Sequence, residues 1–157
     1  YRGELIAIPK STDQNMMDYS PMPKQIPATS SKVIVVSLAK EAFGAYDNNG
    51  NLLLWGPVST GEGYCSDIHR GCHTPIGEFI IQYKEGPDCK STKFPVGKGG
   101  APMPWCMYFH RGFALHGSYE LANANISHGC VRMRVDDAEW LRFNFVHVGT
   151  KVIIRSY

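Results

Sequence analysis

The sequence predicts a mainly β fold, arranged as a sandwich or barrel of short strands with one or two short helices. Three observations carry this prediction. Short β-branched and aromatic runs recur along the chain, Gly, Pro and Asn residues separate them, and only one stretch has clear helical periodicity. With 157 residues, 43% of them hydrophobic and 19% charged, the chain suits one globular domain with a buried core.

The chain divides into a lead-in segment and a folded domain. Residues 1–31 contain four prolines and no clear period, which predicts an extended lead-in rather than a helix. The sequence pattern of residues 32–157 is instead that of a folded domain. It opens with residues 33–38, a run rich in β-branched side chains that predicts a buried strand.

Two hairpins follow from turn chemistry. Asp47-Asn-Asn-Gly50 and Arg111-Gly112 each separate two apolar runs, and Asn and Gly tolerate the positive φ angles of tight turns. Strands are therefore predicted at residues 43–46, 51–58, 76–83, 106–110, 113–116 and 151–155.

One helix is predicted near the end of the chain. Asp136 can accept the first free N–H groups and Glu139 stands three residues later, an arrangement typical of a capping box. Ala138, Leu141 and Phe145 then fall on one face, which we expect to be buried.

Net charge and hydropathy exclude several partners. A formal charge of +2 is too small to indicate a nucleic-acid or membrane-surface partner. The longest apolar run, residues 33–39, is far shorter than the roughly 20 residues of a membrane-spanning helix, so no span is expected. No signal-peptide pattern opens the chain, which begins at Tyr1, so we expect a mature or trimmed form, and the missing signal does not argue against export.

One part of the chain carries chemistry: His116-Gly117, followed by Ser127-His-Gly-Cys-Val-Arg-Met133. A cysteine attacks as the thiolate, and a neighbouring imidazole can take its proton. Cys130 is thus a candidate nucleophile and His116, at the end of a predicted strand, a candidate base. His128 is nearer in sequence, and the sequence leaves the choice between the two histidines open.

This run, with His116-Gly117 upstream, resembles the signature of the L,D-transpeptidase catalytic domain, also called the YkuD family. The likeness covers roughly residues 32–156. It includes Gly56-Pro-Val-Ser-Thr-Gly61, Thr74-Pro-Ile-Gly-Glu-Phe79 and the segment 102–109. The spacing from His116 to Cys130 is somewhat shorter than is usual in the family.

The resemblance implies a role for each residue of the motif. Cys130 is expected to be the nucleophile and His116 the base and later the acid, with the Gly117 carbonyl holding the imidazole in one tautomer. Backbone N–H groups at Gly129 and Cys130 would form the oxyanion hole, and His128 would shape that loop. The expected substrate-binding residues are Ser127, Arg132, Trp105 and Met103.

The resemblance also implies a substrate and a location. The enzyme would be a monomer in the periplasm or cell envelope, forming a thioester with peptidoglycan stem peptides and cross-linking third-position diamino acids without a metal or cofactor. Water as acceptor would make it an L,D-carboxypeptidase, and a lipoprotein lysine would make it a protein-attaching enzyme. The alternatives are a non-catalytic peptidoglycan-binding module and a papain-like peptidase, which is disfavoured because the His precedes the Cys.

Five cysteines favour two disulfides and one free thiol in an oxidising compartment. The simplest pairs are Cys65 with Cys72 and Cys89 with Cys106, which leave Cys130 free, although sequence does not determine connectivity. Five buried thiols are one alternative. A zinc protein is another, but four ligands within nine residues make tetrahedral geometry hard. Its ligands would be Cys65, His69, Cys72 and His73.

Overall fold

The computed structural model describes residues 15–93, 100–121 and 127–156, so the first fourteen residues of the expected lead-in lie outside the description. The fold is mainly β, as predicted. Its strands are β1 (Val33–Ser37), β2 (Ala42–Tyr46), β3 (Leu52–Ser59), β4 (Gly77–Ile80), β5 (Tyr83–Lys84), β6 (Met107–His110), β7 (Phe113–Ser118), β8 (Val131–Arg134) and β9 (Lys151–Arg155), and its helix is α1 (Val135–Trp140).

The strands form one curled mixed sheet in the order β4-β9-β1-β2-β3-β8-β7-β6-β5. The β1–β9 and β7–β8 neighbours are parallel, and the other neighbours are antiparallel. The β2–β3 and β6–β7 hairpins confirm the two predicted from their turn residues.

The prediction of one strand over residues 76–83 is wrong in one respect, because this segment forms β4 and the start of β5, which are separate strands. After β4 the Ile81 N–H donates to the Thr150 carbonyl, and the Gln82 N–H donates to the Tyr108 carbonyl. The chain therefore leaves β9 at one edge of the sheet and joins β6 near the other. This crossing brings the two edges close together, which curls the sheet.

The side chains of β1 point alternately to the two faces of the sheet, so its apolar residues are divided between two clusters. Ile34 and Val36 face the main core, which the curled sheet closes around together with the helix. Val33 and Val35 face the outer side, where Met22 of the lead-in packs against them. Because strand side chains alternate between faces, β1 needs a covering layer on each side.

The helix begins earlier than predicted. Val135 is its first residue and Arg134 occupies the N-cap position without a side-chain capping bond, so the predicted cap at Asp136 is wrong. The strand β8 runs straight into the helix, which leaves no turn residue to act as a cap. Arg134 instead pairs with Asp137 through two bonds, of 2.8 and 3.1 Å.

The buried face of the helix confirms the prediction. Ala138, Leu141 and Phe145 are each at most 1% exposed. The helix continues as a π-helical turn over Leu141–Phe145. The described residues contain no helix with the length and hydropathy needed to cross a bilayer.

Candidate active site

The parallel pairing of β7 with β8 places the candidate nucleophile beside the candidate base. Leu115 lies opposite Val131 and His116 lies opposite Arg132. Cys130 precedes β8 by one residue, so it is level with the residue two positions before His116 and shares its face of the sheet. The two side chains border one cleft of about 300 Å³.

His116 is buried and held by its own strand. Its side chain is 4% exposed, and Nδ1 lies 2.7 Å from the Gly117 carbonyl oxygen. A carbonyl only accepts hydrogen bonds, so Nδ1 carries the hydrogen and the neutral ring keeps its lone pair on Nε2. Burial lowers the pKa of His116 to about 4, with a smaller contribution from the positive charge of Arg132.

Gly117 lies where a side chain would not fit. Its N–H donates to the Pro104 carbonyl at 2.8 Å. A Cβ at this position would stand 2.9 Å from the Cα atom of Val135 and 3.2 Å from the Pro104 oxygen. Glycine thus lets β7 pass close to the start of the helix, and this close packing holds the carbonyl that orients His116.

Cys130 is the free cysteine among the five. It is partly exposed, and its Sγ atom lies 3.9 Å from the Gly112 carbonyl oxygen. Burial raises the pKa of the Cys130 thiol, although the Ala114 N–H and the charge of Arg132 act in the opposite direction. With a raised thiol pKa and a lowered His116 pKa, the resting pair is a neutral thiol and a neutral imidazole.

The loop before Cys130 is held by hydrogen bonds to its own backbone. Ser127 is 1% exposed, and its hydroxyl donates to the Cys130 carbonyl at 2.6 Å and accepts from the Gly129 N–H at 3.1 Å. Gly129 has a φ of +114°, which favours glycine, and its carbonyl accepts from the Thr74 hydroxyl at 2.9 Å. Ser127 borders the cleft, but its hydroxyl is bonded to the loop rather than directed to a substrate.

The oxyanion role expected for Gly129 stays a prediction. Its N–H is directed to Ser127 here, so it would have to turn from the serine hydroxyl before it could donate to a substrate oxygen.

A side chain that sequence reasoning missed holds His128. The Nε2 atom of His128 lies 2.7 Å from a carboxylate oxygen of Asp67, 61 residues earlier. Asp67 lies in residues 65–72, which the Cys65–Cys72 disulfide closes and which we name the disulfide lobe. Neither its residue type nor its local sequence marks Asp67 as part of the site, and only its position between two cysteines hints at a constrained loop.

The disulfides confirm the expected pairing. Cys65 is bonded to Cys72 with a Cα–Cα distance of 5.9 Å, and Cys89 to Cys106 with a distance of 6.2 Å. The zinc alternative is therefore wrong for this structure, because sulfurs bonded to each other are not available as thiolate ligands. The second disulfide packs beneath Cys130 in a small buried cluster.

Two cavities meet at Cys130. The first, the His116 cleft, holds about 300 Å³ and is bordered by His116 and Arg132. The second holds about 710 Å³ and does not include His116. We name it the cationic groove, because Arg70, Lys90, Lys93 and Arg111 border it. Four residues border both cavities: Ser91, Met103, His128 and Cys130.

The remaining expected substrate residues divide between the cavities and the core. Met103 borders both cavities, and Arg132 borders the His116 cleft, where it forms no ion pair with any described residue. Trp105 borders neither of these two cavities: its φ is +60° and its ring packs against Phe143 with centroids 5.2 Å apart. The substrate-binding role expected for Trp105 stays a prediction.

Comparison with known proteins adds to this geometry. The profile of a family described as the L,D-transpeptidase catalytic domain matches residues 31–154. A relative from Escherichia coli K12, described as probable L,D-transpeptidase YbiS, is 27% identical over an alignment of 150 positions, and the match covers 83% of this chain and 47% of the relative. The chain thus spans about half the length of that relative.

Solved structures agree on the fold. The L,D-transpeptidase from Xylanimonas cellulosilytica, 27% identical, superposes with a TM-score of 0.72 over 83% of this chain and 63% of the other. The L,D-transpeptidase 3 of Mycobacterium tuberculosis, in complex with a faropenem-derived adduct, is 22% identical with a TM-score of 0.62 over 80% and 60%.

Proposed function

The chain belongs to the L,D-transpeptidase catalytic domain family, and on that premise we propose that it is a cysteine acyltransferase acting on peptidoglycan stem peptides. Cys130 is the nucleophile and His116 the general base. The proposal depends above all on one observation: the free thiol and a buried imidazole with an oriented lone pair border the same cleft.

The first step would form a thioester. The Cys130 sulfur attacks the carbonyl carbon of the donor stem's third residue while the thiol proton passes to Nε2 of His116. The bond from that carbon to the nitrogen of the terminal D-alanine then breaks, and His116 returns the proton to the leaving nitrogen. The lowered pKa of His116 keeps the imidazole uncharged at neutral pH, so the Nε2 lone pair is unprotonated when the thiol proton is transferred.

Arg132 is positioned to bind the leaving residue. It is partly buried beside His116 in the same cleft and forms no ion pair with the described residues, although the exposed carboxylate of Glu120 also borders this cleft. We infer that its guanidinium binds the terminal carboxylate of the donor stem, since a guanidinium suits bidentate carboxylate recognition.

The second step would transfer the acyl group. The side-chain amine of a second stem attacks the thioester, His116 takes its proton, and the thiol of Cys130 is released. The new amide links two third-position diamino acids. Water in place of the amine gives an L,D-carboxypeptidase through the same thioester. The two disulfides support action in an oxidising compartment such as the periplasm.

The experiment that tests the proposal is intact-mass analysis after incubation with a carbapenem, a bicyclic β-lactam related to faropenem, the penem whose adduct the structural relative carries. We expect one adduct per chain in the wild type and none in a Cys130→Ala variant with the same melting temperature. Release of D-alanine from a tetrapeptide stem should disappear in the same variant. An adduct on the Cys130→Ala variant, or a wild type that neither acylates nor releases D-alanine, would overturn the proposal.

A further inference from the structure

The cationic groove has an excess of positive charge that the reaction chemistry alone does not explain. Three elements contribute its cations: the disulfide lobe, the segment after Cys89 and the β6–β7 turn. One carboxylate, that of Glu85, accompanies them. The four cationic residues that border the groove are Arg70, Lys90, Lys93 and Arg111.

These charges are exposed and not neutralised. Within residues 15–93, 100–121 and 127–156, none of the four cationic residues takes part in an ion pair. The whole chain has a formal charge of only +2, so four cations around one groove are a local concentration and not a general property of the surface. With Glu85 as the single carboxylate beside four cations, the groove has a net positive charge, which attracts anionic ligands.

The position of His116 decides which part of a substrate the groove would hold. The leaving nitrogen and the attacking nitrogen both exchange a proton with His116, so both must occupy the His116 cleft. The groove meets that cleft at Cys130 and does not include His116. The acyl part that stays on the sulfur is therefore left with the groove as its binding surface.

We propose that the cationic groove is an anion-selective subsite, in which Arg70 and Arg111 bind free carboxylates on the acyl part of the donor peptide. This inference rests on the proposed function of Cys130. The ligand class is a peptide with at least one free side-chain or α-carboxylate before the residue that is attacked. Amidation of those carboxylates removes the charge that the groove selects.

An aromatic surface accompanies the charges. The ring of Tyr83 stacks on that of Tyr108 with centroids 4.4 Å apart, and both residues border the groove. The exposed fraction of Tyr83 is 47%, so one face of the pair is open to a ligand. The apolar part of a bound peptide would pack there while its carboxylates meet the arginines.

The test compares two donor tetrapeptides that differ only in charge. One has free carboxylates before the attacked residue, and the other has them as amides, while both keep the terminal carboxylate. We expect wild type to prefer the free acid by about tenfold in kcat/KM, mostly through KM, as two charge contacts of moderate strength would give. Raising the salt from about 50 to about 500 mM should reduce the preference several-fold.

Variants assign the preference to the groove. Arg70→Gln with Arg111→Gln should remove most of it, because both side chains are exposed and their loss leaves the fold intact. A matched control, Lys151→Gln with Arg155→Gln on β9, removes the same charge outside both cavities and should keep the preference. Equal kcat/KM for the two peptides in wild type, or an unchanged preference in the groove variant, would overturn the inference.

Carbapenem acylation separates this inference from the proposed function. If Cys130 acylates normally but the donor charge has no effect, only the subsite is wrong. If Cys130 does not acylate, the proposed function itself fails.

Discussion

The two histidines beside Cys130 are held in opposite ways. His116 lies on the buried strand β7, and its ring bonds the backbone carbonyl of the next residue. His128 lies on a loop with a quarter of its side chain exposed, and its ring bonds Asp67 on the disulfide lobe. The first contact is local and belongs to the core, whereas the second joins two surface segments.

The difference indicates which histidine suits which task. The Gly117 carbonyl cannot move away from His116 unless β7 itself unfolds, so the ring keeps one tautomer and one direction. The Asp67 carboxylate is about half exposed and can be withdrawn by a movement of the lobe. A base needs the first kind of support, and the wall of a binding cavity tolerates the second.

The largest expected effect separates the two histidines directly. His116→Gln should slow acylation of Cys130 about 10³-fold, because no other group would take the thiol proton. His128→Gln should slow it about tenfold or less. Rates of carbapenem adduct formation, followed by mass, measure both. Equal losses of acylation rate in the two variants would show that the different hydrogen-bond partners of the two histidines do not give them different roles in catalysis.

A smaller effect on the acylation rate is expected from substitutions in the disulfide lobe. Cys65→Ser with Cys72→Ser should lower the acylation rate about tenfold and the stability by about 2 kcal/mol, since a short cross-linked loop is released. Asp67→Ala should lower the rate about fivefold with little loss of stability, because a hydrogen bond between partly exposed side chains stabilises weakly.

Two further variants test that interpretation of the lobe. Asp67→Asn keeps an acceptor oxygen and should restore part of the rate. Asp88→Ala, which removes an exposed carboxylate outside both cavities, is the matched control and should leave the rate unchanged. If Asp67→Ala has the wild-type rate, the lobe does not position His128 for catalysis.

The smallest effect is a shift in pH dependence. The folded-state pKa of His116 is about 4, against an ordinary 6.5. The acid limb of kcat/KM should therefore lie near pH 4. Arg132→Gln should move it to higher pH by less than about one unit, because the charge of Arg132 helps to lower that pKa. If the acid limb stays in place in Arg132→Gln, the charge of Arg132 does not affect the pKa of His116.

Stability should follow the same titration. Between pH 6.5 and about 4 the unfolded chain binds a proton at His116 that the folded chain does not, so stability falls as the pH is lowered through this window. The fall is on the order of 3 kcal/mol, is absent above pH 6.5, and should disappear in His116→Gln. Urea unfolding at several pH values measures it, and an identical pH dependence in the variant would contradict it.

Local chemistry was sufficient for the predictions that the structure confirms. Turn residues defined both hairpins, helical spacing identified the buried face with Ala138, Leu141 and Phe145, and the count of five cysteines led to the two disulfides. The motif from Ser127 to Met133 indicated the family that the profile match then supported. Each of these depends on residues near one another in the chain, where sequence patterns are informative.

Tertiary structure decided the arrangement of the site. The parallel register of β7 and β8 sets Cys130 beside His116, and no sequence pattern predicted β8 or its pairing with β7. The bond from Asp67 to His128 spans 61 residues, and Trp105 packs on Phe143 and borders neither of the two cavities. By itself the sequence determined which residue types are present and which local elements they form. Which of them meet depended on long-range strand pairing, because the free energy that selects a pairing comes from packing the whole core.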